Sequence, residues 1–213
     1  GRAAMLTGAC PLILTGLAVA LAFRGGALNI GAEGQLLIGG LVGVALATKS
    51  SLPPMLLMPM LFVAGAAGGC LWAGIAAGLR VWRGVPEVLS TILLNFIAME
   101  VVKYAVTGPL EGVRGTAQTA EIPRALRLPM LDAATDLHVG IFAALAAAVL
   151  TYLLVHRTTV GFELRAVGDN PVAAAYSGMS PSRSVITAML LSGGLAGIAG
   201  CVELLGRLGS LSH

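Results

Sequence analysis

The sequence predicts an all-α, polytopic membrane protein with about six transmembrane segments, at least one of them discontinuous or re-entrant. Three observations carry this. Of 213 residues, 57% are hydrophobic and only 11% charged, less than half of the ~25% charge of a soluble domain. Uncharged apolar runs near the ~20 residues that span a bilayer recur along the chain. The 29 glycines include several pairs four residues apart, the spacing that lets membrane helices approach closely. Residues 1–213 therefore read as a single transmembrane domain, not as a soluble core with an anchor.

The first apolar run is Met5–Phe23, with Pro11 and Gly16 inside it and Arg24-Gly25-Gly26 ending it. Leu28–Gln35 (LNIGAEGQ) then sets Asn29, Glu33 and Gln35 among glycines, and Leu36–Thr48 resumes the apolar pattern but is short for a crossing. Glycine-rich polar backbone before a short span predicts a broken helix, accepted at membrane depth only inside protein or beside water. Glu33 could cap that turn, pair with Arg24, or contact a solute, since a carboxylate at such depth needs a partner or a cavity. Met55–Leu79 is a long span carrying Gly65/Gly69 and Gly74/Gly78. Gly39/Gly43 and Gly193/Gly197 repeat the spacing elsewhere, and packing is expected at all four pairs.

Arg80 and Arg83 close that span, and Pro86-Glu87 opens the next helix, which runs to about Val106. Thr91 and Asn95, four apart, share one face. They could bond a hydroxylated ligand or neighbouring helices. Glu100 and Lys103 are spaced for an ion pair. Thr107–Asp136 is a polar loop with three prolines, after which Leu137–Val155 and Val185–Leu205 are the last spans. Between them lies the polar stretch Gly161–Ser180. There Asp169 or Asn170 caps a short helix with Pro171 in its first turn, and Gly178 stops it.

Several function classes are excluded or disfavoured. The net charge of +3 is small and scattered, so no nucleic-acid-binding surface is expected. No GxxxxGK[ST] motif occurs, so this chain does not hydrolyse ATP. Cys10, Cys70 and Cys201 stand alone as small packing residues, with no CxxC and no metal or disulfide pattern. His138, His156 and His213 lack metal-ligand spacing and read as interfacial. Ser192 reads as a helix-packing serine and not as a protease nucleophile, because no histidine shares a matching span. Lys and Arg are nearly balanced between the two ends: Arg80, Arg83, Arg157, Arg165 and Arg183 against Lys49, Lys103, Arg114, Arg124, Arg127 and Arg207. Charge therefore does not set the orientation.

The pattern GFELRAVGDNPVAAAYSG at Gly161–Gly178 resembles the cytoplasmic coupling loop of ABC importer permeases, in the branch for simple sugars, nucleosides and branched-chain amino acids. LNIGAEGQ and GVPEVLSTILLN (Gly84–Asn95) are most similar to nucleoside-type members, and the three motifs span nearly the whole chain. The resemblance implies that residues 157–184 form a cytoplasmic loop. Gly161, Glu163, Arg165, Gly168, Asp169, Asn170, Pro171, Ala173 and Tyr176 would form or support its contact with a separate ATPase. Arg165 could bridge to that subunit, or pair locally with Glu163 or Asp169. Asn29, Glu33, Gln35, Thr91 and Asn95 are the candidate substrate-pathway residues.

It further implies a permease and not an enzyme, in the bacterial plasma (inner) membrane, with no cofactor of its own and with ATP and Mg on the partner ATPase. A second permease chain, homologous or identical, and an extracytoplasmic substrate-binding protein would complete the importer. Members are longer at both ends, so an internal fragment of a longer permease is expected. A nucleoside or simple sugar suits the sparse charge. A secondary transporter or channel for small polar solutes is the alternative, for which discontinuous helices are also suited.

Overall fold

The computed structural model describes residues 2–113, 115–132 and 137–211, and the side chains of residues 2–7, 132 and 137 fall outside the description. Arg114 and His213 therefore lie outside the described residues. Among the described residues, six helices form the bundle: α1 (Arg2–Arg24), α2 (Ala32–Lys49), α3 (Pro54–Arg83), α4 (Glu87–Thr107), α5 (Gly140–Arg157) and α8 (Pro181–Glu203). Two short helices, α6 (Thr159–Asp169) and α7 (Pro171–Tyr176), join α5 to α8. A π-helical turn, Leu204–Leu208, prolongs α8. By length and composition, α3, α4, α5 and α8 with its π-turn can each cross a membrane. The 18 residues of α2 give ~27 Å, close to a ~30 Å hydrocarbon core.

The helices alternate in direction. Gly26, just past α1, packs on Gly168 at the end of α6, and the Arg80 guanidinium at the end of α3 donates to the Gly26 carbonyl at 3.0 Å. The ends of α1, α3 and α5 thus share the α6–α7 end of the bundle, where α4 and α8 begin. The α8 helix is the axis, with α1, α2 and α3 packed around it. Its contact face is built of small residues: Ala188, Ser192, Gly193, Ala196, Gly197, Ala199 and Gly200 are all buried. A Cβ on Gly197 would overlap the Gly65 carbonyl, one on Gly69 the Gly193 carbonyl, and one on Gly200 the Leu36 carbonyl. Backbones in contact maximise dispersion where the hydrophobic effect gives no drive between helices.

Gly39, Gly65, Gly69, Gly193 and Gly197 therefore meet neighbouring backbones as read, and Gly43 lies against the Cys201 thiol. Gly74 meets the Leu190 side chain of α8 and no backbone, and Gly78 is covered by Trp82 of its own helix. The Glu100–Lys103 pair is also not formed, and both residues are exposed on the outer face of α4. Cys201 is buried and directs its thiol to the Leu61 carbonyl at 3.3 Å, in keeping with a packing role.

The α1–α2 passage is discontinuous and not re-entrant. α1 stops at Arg24, Gly26 turns the chain with φ +72°, residues 27–31 are not helical, and α2 begins at Ala32. Glu33 and Gln35, read as part of the polar break, are thus in the first turn of α2.

At the opposite end, the polar loop carries more structure than its composition suggests. A hairpin pairs β1 (Met130–Asp132) with β2 (Leu137–His138). Backbone N–H groups of Thr119, Ile122 and Leu128 donate to the carbonyls of Leu211, Gly209 and Leu205, tying the loop to the end of α8. His138 is fully buried there, just before the start of α5. Its Nδ1 accepts from the Gly140 N–H at 3.1 Å, and burial holds its pKa below the usual 6.5, opposed by Glu203. His156 stacks on Tyr152 near the end of α5.

Candidate functional site

Two groups of sequence-predicted residues are placed by this frame, one at the α6–α7 end and one along the α1–α2 passage. In the first, Thr158 caps α6 by accepting from the Gly161 N–H at 3.0 Å. Gly161, Leu164 and Val167 form its buried stripe. A Cβ on Gly161 would overlap the Leu154 and Val155 carbonyls, and one on Gly168 the Arg24 carbonyl. Both glycines are therefore sites where α6 lies backbone-to-backbone on the spans. The polar stretch is thus two helices where one was expected. The missed signal is that apolar stripe following a capping threonine.

The cap of α7 is Asn170 and not Asp169. Its Oδ1 accepts from the N–H groups of Val172 and Ala173, each at 3.0 Å, while Asp169 ends α6, exposed. Pro171 occupies the first helical turn, where its missing N–H costs nothing. Gly178 follows at φ +84°, the left-handed conformation favouring glycine after a helix. Only Ala174 of α7 is buried. Val172 is 64% and Tyr176 90% exposed, Ala173 is also exposed, and Pro171, Val172, Ala175, Tyr176 and Pro181 line a groove of about 500 Å³. The result is a small capped knob with an exposed apolar flank.

Arg165 makes neither of the local ion pairs considered. Among the described residues its Nε donates to the Gly161 carbonyl at 3.4 Å, and Glu163 is exposed.

In the second group, Asn29 is the hub. Its Nδ2 donates to Gln35 Oε1 at 2.9 Å and to Ser192 Oγ at 2.8 Å. Its Oδ1 accepts from the Gly31 N–H at 2.9 Å and from Gln35 Nε2 at 3.0 Å. All three side chains are buried, so this network holds α2 to α8 across the break.

Asn95 bridges from α4. Its Nδ2 donates to the Ile30 carbonyl at 3.1 Å, and its Oδ1 accepts the Gly34 N–H at 2.9 Å. A helix start lacking a side-chain cap of its own thus receives one from another helix. Thr91 is buried, with its hydroxyl on the Glu87 carbonyl at 2.7 Å, and it packs against Gly31. The polar atoms of Asn29 and Asn95, the Gln35 amide and the Thr91 hydroxyl are therefore engaged within the protein.

Glu33 stands apart from the other four. It is exposed, and among the described residues it bonds neither the α2 start nor Arg24. Its side chain is one wall of a largely apolar groove of about 680 Å³, with Thr15, Val19, Phe23 and Leu36 among the other lining residues. Within a bilayer an ionisable group calls for water or a polar partner and not lipid tails.

Glu87 has a role that its local sequence does not show. It forms an ion pair with Arg80 and accepts the Leu28 N–H at 3.0 Å, while Arg80 also holds the Gly26 carbonyl. Glu87 had read only as an acid in a first helical turn, because its partners lie on other elements.

No group of three or more metal-ligating side chains occurs among the described residues. No solved structure matches the chain. A glucose ABC transporter permease of Haloferax volcanii is 40% identical over 220 residues, covering 98% of this chain and 58% of that protein. A guanosine ABC transporter permease of Bacillus subtilis is 42% identical, covering 92% and 57%. A nucleoside ABC transporter permease of Lactococcus lactis is 32% identical, covering 90% and 56%. The chain thus spans a little over half the length of these relatives. Residues 1–210 match the family model described as the permease component of branched-chain amino acid transport systems. Six bundled helices, a capped knob between α5 and α8, and these matches together place the chain in that family of multi-pass ABC transporter permeases.

Proposed function

We propose that the chain supplies the membrane-crossing part of an ABC importer that carries a nucleoside or simple sugar into the cytoplasm. ATP is hydrolysed, with Mg, on a separate ATPase, and the permease itself holds no cofactor. The observation that carries this reading is the α7 knob. Asn170 fixes its start, Gly161 and Gly168 seat its supporting helix on the spans, and Val172, Ala173 and Tyr176 are left uncovered as an apolar contact for a soluble subunit. In this reading residues 157–184 face the cytoplasm, and the loop that caps α8 faces the extracytoplasmic substrate-binding protein. Glu33 faces the pathway, between this chain and a second permease chain. Asn29, Gln35, Thr91 and Asn95 hold the broken backbone that presents it. The acceptor-only carboxylate suits a neutral solute rich in hydroxyl and N–H donors.

The test is Ala173→Asp in the full-length permease, co-expressed with its ATPase. A charge forced unpaired into an apolar contact is expensive. The variant is expected to reach the membrane but to lose the co-purifying ATPase or its substrate-stimulated hydrolysis. Intact co-purification and stimulation would refute α7 as the contact. Accumulation of labelled nucleoside in proteoliposomes without any ATPase would instead favour a secondary transporter, which the broken α1–α2 passage also suits.

A further inference from the structure

The non-helical linker between α1 and α2 touches both groups of residues. At one end, Gly26 meets Gly168 with a built Cβ only 3.3 Å from the Gly168 Cα, and Gly25 lies against Leu164 of α6. Gly168 is two residues before the Asn170 cap of α7. At the other end, Asn95 holds the Ile30 carbonyl, and the linker enters α2 one residue before Glu33. Between these ends the linker runs beside α4 from Glu87 to Asn95, eight residues or ~12 Å of helix.

One ion pair grips it midway. Arg80 of α3 holds the Gly26 carbonyl, Glu87 of α4 accepts the Leu28 N–H, and the two side chains bond each other. A tie between α3 and α4 alone would need neither bond to the linker. Both partners instead spend a hydrogen-bonding group on its backbone, on either side of Ala27.

We propose that the linker Arg24–Gly31 transmits movement of α6–α7 to the start of α2, with Arg80 and Glu87 as the positioning residues that keep it in register. A displacement of α6 is passed by backbone contact at Gly168–Gly26. The clasp stops the linker from absorbing it by local bending, so that Asn29, the α2 start and the Glu33 carboxylate shift together. The inference rests on α7 as the ATPase contact.

The test uses the full-length permease with its ATPase and binding protein in proteoliposomes. It reads co-purification, basal hydrolysis, stimulation by loaded binding protein, and solute moved per ATP. Arg80→Gln is expected to keep ATPase binding and basal hydrolysis and to lower stimulation and transport about tenfold, the factor that one lost charge-assisted bond corresponds to. If Arg80→Gln fails to assemble, Glu87→Gln, which keeps shape and an acceptor for Leu28, is read in the same way, with a smaller loss expected.

The deciding variant is the exchange Arg80→Glu with Glu87→Arg. It can rebuild the α3–α4 ion pair but cannot donate to Gly26 from α3 or accept from Leu28 on α4. Restored thermal stability with coupling still lost is the expected result. Restored coupling would overturn the proposal and leave the pair as a tie between two helices, as would normal coupling in the single variants. Loss of ATPase binding in Ala173→Asp is read separately, so failure of the docking surface and failure of the linker are distinguishable.

Discussion

Asn29→Ala puts a number on the difference between a residue that serves a solute and one that holds the fold. Asn29 makes four hydrogen bonds, two donated and two accepted, all inside the bundle. Side-chain bonds between membrane helices contribute about 0.6 kcal/mol on average, and typical intramolecular bonds about 1 kcal/mol. Losing four therefore costs about 2 to 4 kcal/mol. Little of this is recovered, because Gln35 and Ser192 are buried and their freed groups have no water to turn to. Ser192→Ala, which removes one of the four bonds, should cost about a quarter as much. Reversible unfolding of the purified protein in mixed detergent–SDS micelles gives both values directly. A loss below about 1 kcal/mol for Asn29→Ala, together with a raised KM for uptake, would refute the structural assignment and return Asn29 to the solute pathway.

Three further outcomes follow from the same geometry. Gly197→Ala drives a methyl group into the Gly65 carbonyl and Gly69 and should cost about 1 to 3 kcal/mol by overpacking, whereas Gly74→Ala, facing only a flexible leucine end, should be nearly neutral in the same unfolding assay. Asn170→Ala should lower α7 stability by about 1 kcal/mol, read as roughly fivefold faster hydrogen exchange at the Val172 and Ala173 amides, with Asp169→Ala leaving both rates unchanged. For His138, outside the spans, burial lowers the folded pKa from 6.5. The unfolded chain then takes up the proton first, so stability should be flat above about pH 6.5. It should decline below that by up to about 1.4 kcal/mol per unit of depression. His138→Gln should reduce the slope in that window, and an unchanged slope would assign it to other groups.

The sequence by itself determined whatever depends on short-range pattern. Apolar runs define the spans because membrane insertion reads hydropathy over about 20 consecutive residues. Asn170-Pro171 defines the α7 start because a cap bonds only two or three residues ahead. Glycines four apart announce that helices touch closely somewhere.

Which helices touch, and which polar groups remain free, is decided by contacts remote in sequence. Asn29 and Ser192 are 163 positions apart, and Arg80 reaches Gly26 across 54. No local pattern distinguishes an Asn that bonds a serine on another span from one that bonds a solute. Gly74/Gly78 has the same spacing as Gly193/Gly197, yet only the latter faces a neighbouring backbone, because orientation about a helix axis is fixed by the whole bundle. Glu33 and Glu87 are both acids in a first helical turn. Tertiary packing clasps Glu87 to Arg80 and leaves Glu33 open, since burying a carboxylate requires an opposite charge and donors within reach, and only the fold sets that reach.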